Sequence, residues 1–219
     1  MRLQIIIKSS GLVSFDHQPL LVGVINKWLG QNDLHGKLSF LSFGRLENGK
    51  KISNKLYFET TSFFISSHDE NVISKIIDGI KKDPKMFQGL EVYKYYIEDD
   101  PDFSNKSIFF VSSPIFIKRK NDEGNVDHIL YDNEKAGIYL KETILNKMEK
   151  CNFPIDDTLD IKFDLSYKKP TTQLVKYRVT NNRSNICPVI IKGKDETKKF
   201  IWNVGLGNST GIGFGAIKL

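Results

Sequence analysis

Cysteine is nearly missing from this chain. Cys151 and Cys187 are the only two in 219 residues, they form no CxxC pair, and no secretory signal precedes them, since Met1-Arg2-Leu3-Gln4-Ile5-Ile6-Ile7 is too short an apolar segment. A reduced, cytoplasmic protein is expected. Long hydrophobic runs are missing too: no stretch approaches the ~20 apolar residues that a membrane span needs, so no membrane partner is expected. Metal-binding spacings are absent. The four histidines, His17, His35, His68 and His128, show no HxxxH pattern and have no cysteine cluster beside them, so no metal site is expected. No nucleotide-cofactor fingerprint appears either. The one glycine-dense stretch is followed neither by Gly-Lys-Ser/Thr nor by a helix, so no cofactor is expected.

What is present is a globular composition with a basic excess. Hydrophobic residues make up 40% and aromatics 11%, which fits a packed core rather than a disordered chain. Lys and Arg number 32 against 26 Asp and Glu, a formal charge of +6, and this favours a polyanionic partner. The length suits one large domain or two of about 100 residues.

Leu3, Ile5 and Ile7 alternate as in a strand that breaks at Ser9-Ser10-Gly11. Asp16 is placed to cap a helix that tolerates Pro19 in its first turn, in which Leu20, Leu21, Val24, Ile25 and Trp28 recur at helical spacing up to the Gly30 stop. Residues 38–46 and 56–66 read as strands joined by a basic turn, Val72 to Ile80 as an amphipathic helix, and 90–97 as a fourth strand. That order is βαββαβ, the ferredoxin-like unit. Glu98-Asp99-Asp100-Pro101-Asp102 is acidic and Pro-broken, as a linker would be. After it come strands at 108–117, 159–165, 174–179 and 186–191, a helix at 138–148, a helix at 195–204 closed by Gly205, and a last strand at 212–219. The expected fold is therefore α+β, with two tandem ferredoxin-like (RRM-like) domains spanning 1–98 and 106–219.

The stretch between that last helix and the last strand is Gly205-Leu206-Gly207-Asn208-Ser209-Thr210-Gly211-Ile212-Gly213-Phe214-Gly215. Such a run allows backbone amides to form an anion nest that a phosphodiester can approach. A flexible tail and a tight ligand-free connection are the competing readings. Leu206, Ile212 and Phe214 interleave with the glycines and speak against the tail.

Gly205-Leu206-Gly207 followed by Gly213-Phe214-Gly215 resembles the signature loop of the repeat-associated RNA-binding superfamily, and in particular the CRISPR-associated endoribonucleases of the Cas-six type. The helix, His35 loop and strand in residues 20–46, and Val111-Ser112-Ser113-Pro114-Ile115, are similar to that family's two domains. The resemblance implies cleavage of CRISPR repeat RNA without a metal: the RNA's own 2′-OH attacks the adjacent phosphate, leaving a 2′,3′-cyclic phosphate and a 5′-OH. It places the general base at His35. His17, at the start of the same helix, is the candidate acid or second base. Some family members add an upstream tyrosine, but none precedes Tyr57 here. They also add a lysine, which falls among Lys37, Lys50 and Lys51, with Lys51 preferred. His68 and His128, beside Asp69 and Asp127 in polar turns, read as surface residues.

For RNA binding the candidates are Gly205, Gly207, Gly211, Gly213 and Gly215, with Lys118, Arg119, Lys168, Lys169, Lys176, Arg178 and Arg183. Tyr167 and Tyr177 lie among them and could stack on unpaired bases. The expected partner is CRISPR repeat RNA, with a CRISPR effector complex as a further partner and a monomer or homodimer as the working form. A non-catalytic RNA-binding subunit with the same fold is the alternative function.

Overall fold

The computed structural model of this chain describes residues 1–30 and 40–219. In chain order the first half contains β1 (Arg2–Ser9), β2 (Leu12–Ser14), α1 (Gln18–Leu29), β3 (Leu41–Phe43), β4 (Lys50–Ile52), β5 (Lys55–Tyr57), β6 (Thr60–Ser67), α2 (Glu70–Lys82) and β7 (Leu90–Glu98). The second contains β8 (Ile108–Val111), β9 (Lys118–Lys120), β10 (Val126–His128), α3 (Ala136–Lys150), β11 (Asp160–Phe163), β12 (Thr171–Tyr177), β13 (Thr180–Ile186), β14 (Val189–Lys192), α4 (Asp195–Val204), a 3₁₀ turn at Thr210–Ile212 and β15 (Ile217–Lys218).

Two four-stranded antiparallel sheets carry the fold, in the orders β3-β6-β1-β7 and β11-β14-β8-β15. Counting only the core strands of each half, both follow the same βαββαβ path, so the molecule is two ferredoxin-like units in tandem. Alternation does this work in β1: Leu3, Ile5 and Ile7 are wholly buried against α1 and α2, and Arg2, Gln4, Ile6 and Lys8 face the other way. The second core gathers Leu140, Ile144 and Met148 of α3 with Phe200, Ile201 and Val204 of α4 on Phe109, Ile161 and Val189. Short hairpins are added to this frame: β9 with β10, β12 with β13, and the small sheet β2-β5-β4.

Several boundaries differ from the sequence expectation, each for a physical reason. Residues 56–66 are two strands because the chain changes sheets at Phe58, whose ring is buried beneath Gly49. The expected strand at 186–191 divides at Cys187-Pro188: Pro188 has no amide hydrogen to give to a ladder, and the segment before it pairs with β12 while the segment after it pairs with β11 and β8. Residues 108–117 stop being a strand at Val111, because the amides of Ser112 and Ser113 both turn to the Ala216 carbonyl (2.8 and 3.0 Å). The last strand shrinks to Ile217–Lys218, its expected first residue lying in the 3₁₀ turn. Helix α1 is capped by His17, whose carbonyl accepts from the Leu21 amide at 2.9 Å, rather than by Asp16.

One side chain ties the halves together. The Arg2 guanidinium, 2% exposed, lies between the Phe64 ring (3.8 Å) and the Trp202 ring (3.3 Å) and donates to the carbonyls of Trp202 (2.7 Å) and Ile217 (3.0 Å). Burial holds its pKa down to about 9, with the Glu98 and Asp100 charges pulling the other way.

Candidate functional site

The glycine-rich connection is a packed joint. Helix α4 ends at Gly205, whose φ of +71° only glycine tolerates without strain. Inside the loop the amide of Leu206 donates to Gly215 O (2.8 Å), Asn208 to Phe116 O (2.7 Å), Ile212 to Ser209 O (3.1 Å), Gly213 to Thr210 O (3.2 Å) and Gly215 to Pro114 O (2.9 Å). Those donors are committed to the protein, so at these positions the anion-nest arrangement is replaced by internal bonding. The glycines serve close approach instead. A Cβ at Gly207 would overlap the Phe116 carbonyl, one at Gly215 the Leu206 carbonyl, and one at Gly213 would stand 2.9 Å from the Phe43 ring. Gly205, Gly207, Gly213 and Gly215 are buried. Asn208, Ser209, Gly211 and Ile212 reach the surface.

The joint touches both halves. Gln18, in the first turn of α1, donates from Nε2 to the Ile212 carbonyl (2.6 Å), which sets the loop beside His17. On the other side Asn208 Oδ1 accepts from the Lys118 amide (2.9 Å), fixing the start of the β9–β10 hairpin to the loop. Beneath it Lys147 of α3, 1% exposed, reaches Val204 O (2.8 Å), Gly205 O (3.3 Å) and Thr210 Oγ1 (3.1 Å).

His17 is half-buried, with Nδ1 2.8 Å from the Ser14 carbonyl. Since a carbonyl only accepts, Nδ1 carries the hydrogen and Nε2 is the basic nitrogen. Burial pushes its pKa below the ordinary histidine value, the nearby Arg45 charge adds to this, and the Ser14 bond opposes it. At neutral pH the imidazole is therefore the neutral base. Arg45 enters the same region after β3 and donates to Gln173 Oε1 of β12 at 2.6 Å. Burial lowers its pKa only to about 10, so it stays cationic.

His35 and Lys37 lie outside the described residues. Lys51 is exposed on β4, in the small sheet β2-β5-β4, where Val13, Leu56 and Lys51 share one rung; His17 lies outside that sheet, three residues beyond the end of β2, and nothing among the described residues brings the two side chains together. Of the basic set, Lys118, Lys168, Lys169, Lys176, Arg178 and Arg183 are exposed. Lys176 and Arg183 stand on the β12–β13 hairpin, and Arg178 (φ +54°) is in its tip. Arg119 is otherwise engaged: it donates to Glu142 Oε2 (2.8 Å) and Tyr139 O (3.1 Å) and lies over the Tyr139 ring. Tyr167 is open, whereas Tyr177 packs on the first core. His128 is a β10 residue rather than a turn residue. Its Nδ1 accepts from the Arg183 amide (3.2 Å) and its ring meets Phe116 edge-on, so it joins the two basic hairpins. His68 is exposed with its ring against Phe153 and Phe200. Among the described residues no group of three or more His, Cys, Asp or Glu is placed to hold a metal ion, and no helix is long and apolar enough to cross a membrane.

Arg45, Gln18, Asn208 and Lys147 were missed by sequence reasoning. Only Lys147 left a signal. It sits three residues after Ile144 and seven after Leu140, a cation on the apolar stripe of its helix.

The family model described as "CRISPR associated protein Cas6, C-terminal" matches residues 98–219. A Pyrococcus furiosus protein named as a CRISPR-associated endoribonuclease-like Cas6 is 26% identical over 171 residues, covering 75% of this chain and 70% of its own length. Among solved structures, a Cas6-related protein from Pyrococcus furiosus superposes with a TM-score of 0.85 at 22% identity, over 100% of this chain and 97% of its own. A RAMP protein described as binding different RNA substrates reaches 0.84 at 21% identity, over 100% and 99%.

Proposed function

The chain belongs to the Cas6 family of CRISPR-associated proteins, and from that premise we propose that it is a cytoplasmic endoribonuclease that cuts CRISPR repeat RNA into guide RNAs without a metal. In this reading the ribose 2′-oxygen attacks the adjacent phosphorus while its proton passes to a histidine. The bond from phosphorus to the 5′-oxygen breaks, and that oxygen takes a proton from the acid, which leaves a 2′,3′-cyclic phosphate and a 5′-OH. His35 is assigned the base and His17 the acid or second base; its neutral resting form favours the second-base role, and as the acid it would act only after taking up a proton. Lys51, with Arg45 beside His17, supplies positive charge for the phosphorane. Residues 1–98 then carry the chemistry, and 106–219 grip the RNA through Lys118, Lys168, Lys169, Lys176, Arg178 and Arg183.

The observation that carries the reading is the placement of His17: a neutral imidazole at the head of α1, its Nδ1 pinned to Ser14, next to the Gln18 side chain that clasps the glycine-rich joint. The test is single-turnover cleavage of labelled repeat RNA in EDTA. Cleavage is expected to persist there and to vanish when the ribose 5′ of the scissile phosphate is deoxyribose. His35→Ala is expected to slow it by roughly 10²- to 10⁴-fold with little loss of binding. His17→Ala should cost a comparable factor, and the double variant much less than the product. Strict magnesium dependence overturns the mechanism. Tight RNA binding with no cleavage by the parent protein makes the binding-subunit reading the better one.

A further inference from the structure

Lys147 is a buried amine held by neutral acceptors, with no carboxylate against it among the described residues. From α3 its Nζ crosses to the end of α4 and meets three acceptors, the carbonyls of Val204 and Gly205 and the Thr210 hydroxyl. A protonated amine has three hydrogens to match them, and two of those acceptors are carbonyls that the end of a helix leaves over. Among the described residues it forms no ion pair. The elements around it bring carbonyls and a hydroxyl from α4 and the loop. The one titratable neighbour that acts on it is Cys151, one turn along α3, and burial pushes that thiol up, so it is uncharged near neutrality. The amine thus lies beneath Thr210, whose chain neighbours Ser209 and Gly211 reach the surface, in a loop where many amides are already spent on internal bonds.

We propose that an RNA phosphate at this glycine-rich turn is the counter-charge of Lys147, so that the lysine both positions the turn and takes up a proton from solvent when RNA binds. This rests on the RNA-binding reading above. A buried charge is felt more strongly than one in water, so a phosphate held above the turn favours the ammonium form. By reciprocity the ammonium form favours the phosphate. Burial brings the Lys147 pKa from 10.5 down to about 7, opposed by Cys151, so the coupling falls in an accessible pH range.

The experiment measures affinity for labelled repeat RNA from pH 6.5 to 8.5 at constant ionic strength. The parent, Lys147→Arg and Lys147→Met are compared, and calorimetry on the parent in Hepes and in Tris counts protons. Parent affinity is expected to fall roughly ten-fold across the range, the effect of moving one lysine pKa by about one unit on binding. Proton uptake on binding is expected at pH 7.5. Lys147→Arg should hold its pH 6.5 affinity to pH 8.5. Lys147→Met should bind weakly throughout, with little pH dependence. His17, His68 and the Met1 amino group titrate alike in all three proteins, so their contribution subtracts. A parent that binds RNA with no proton uptake, or a slope in Lys147→Arg as steep as the parent's, overturns the inference while leaving RNA binding intact. A parent that does not bind RNA overturns both. If Lys147→Met fails to fold, the arginine variant and the calorimetry decide.

Discussion

Gly23 and Gly79 both sit in the interior of a helix, and alanine should act on them in opposite directions. In α1, Gly23 is exposed and a Cβ there meets nothing within 4 Å. Alanine removes the entropy cost of glycine in a helix and should stabilise by about 0.5–1 kcal/mol. In α2, Gly79 lies against the backbone of Trp28, where a Cβ would overlap the Trp28 Cα and carbonyl oxygen and stand 2.7 Å from the carbonyl carbon. Because the obstruction is backbone, the helices have to separate. That loosens Ile76 and Ile80 against Ile25 and strains the Trp28 Nε1 bond to Asp83 O (2.9 Å) and the Lys27–Asp83 contact (2.8 Å). Overpacking of this kind costs about 1–3 kcal/mol, with rigid backbone at the upper end. After subtracting the propensity gain, Gly79→Ala should destabilise by about 2 kcal/mol. Urea unfolding followed by fluorescence of the two tryptophans, Trp28 and Trp202, measures both variants. A Gly79→Ala midpoint at or above that of Gly23→Ala would refute the close-contact argument.

Three further outcomes follow from the site. Gly215→Ala combines a φ of +70° with overlap on the Leu206 carbonyl; it should cost roughly 3 kcal/mol and weaken RNA binding, checked by thermal melts and filter binding. Between pH 7 and 8.5 the unfolded chain keeps a proton on Lys147 that the folded chain gives up near its pKa of about 7. Stability without RNA should therefore rise with pH by up to ~1.4 kcal/mol per unit, opposite to RNA affinity, and denaturation at the two pH values checks the sign. RNA affinity should fall with salt with a log-log slope of about −4, and Lys176→Ala or Arg183→Ala should each reduce that slope by about one. Arg119→Ala should leave it almost unchanged, because that guanidinium is bound to Glu142 and Tyr139.

The periodic elements were open to reading. Helix α4 and its Gly205 stop, α2 with Ile73, Ile76 and Ile80 inward, and the alternation of β1 all announce themselves through local pattern. The βαββαβ order followed from those elements alone. What local pattern does not carry is partnership across distance. Arg2 looks like the edge of an apolar strand, yet the carbonyls it binds, those of Trp202 and Ile217, lie 200 and 215 residues away. The β12–β13 hairpin was half read, because Thr180 to Asn185 is polar and its strand character comes from pairing with β12. The glycine run was visible as a special backbone, but whether its amides face solvent or the protein depends on Pro114 and Phe116, which lie in a distant part of the chain, before α3. Arg45 and Gln173 meet for the same reason.

The Arg2 clasp also sets an order of events during synthesis. The first sheet, β3-β6-β1-β7, is complete once β7 has emerged, while Trp202 and Ile217 are still to be made. At typical translation rates that interval lasts on the order of ten seconds. Through it the guanidinium and the Phe64 ring stand uncovered on the open face of a finished sheet, a wet cation beside an apolar surface. The nascent chain thus has a waiting period in which that face is available to chaperones, and the arrival of Trp202 ends it.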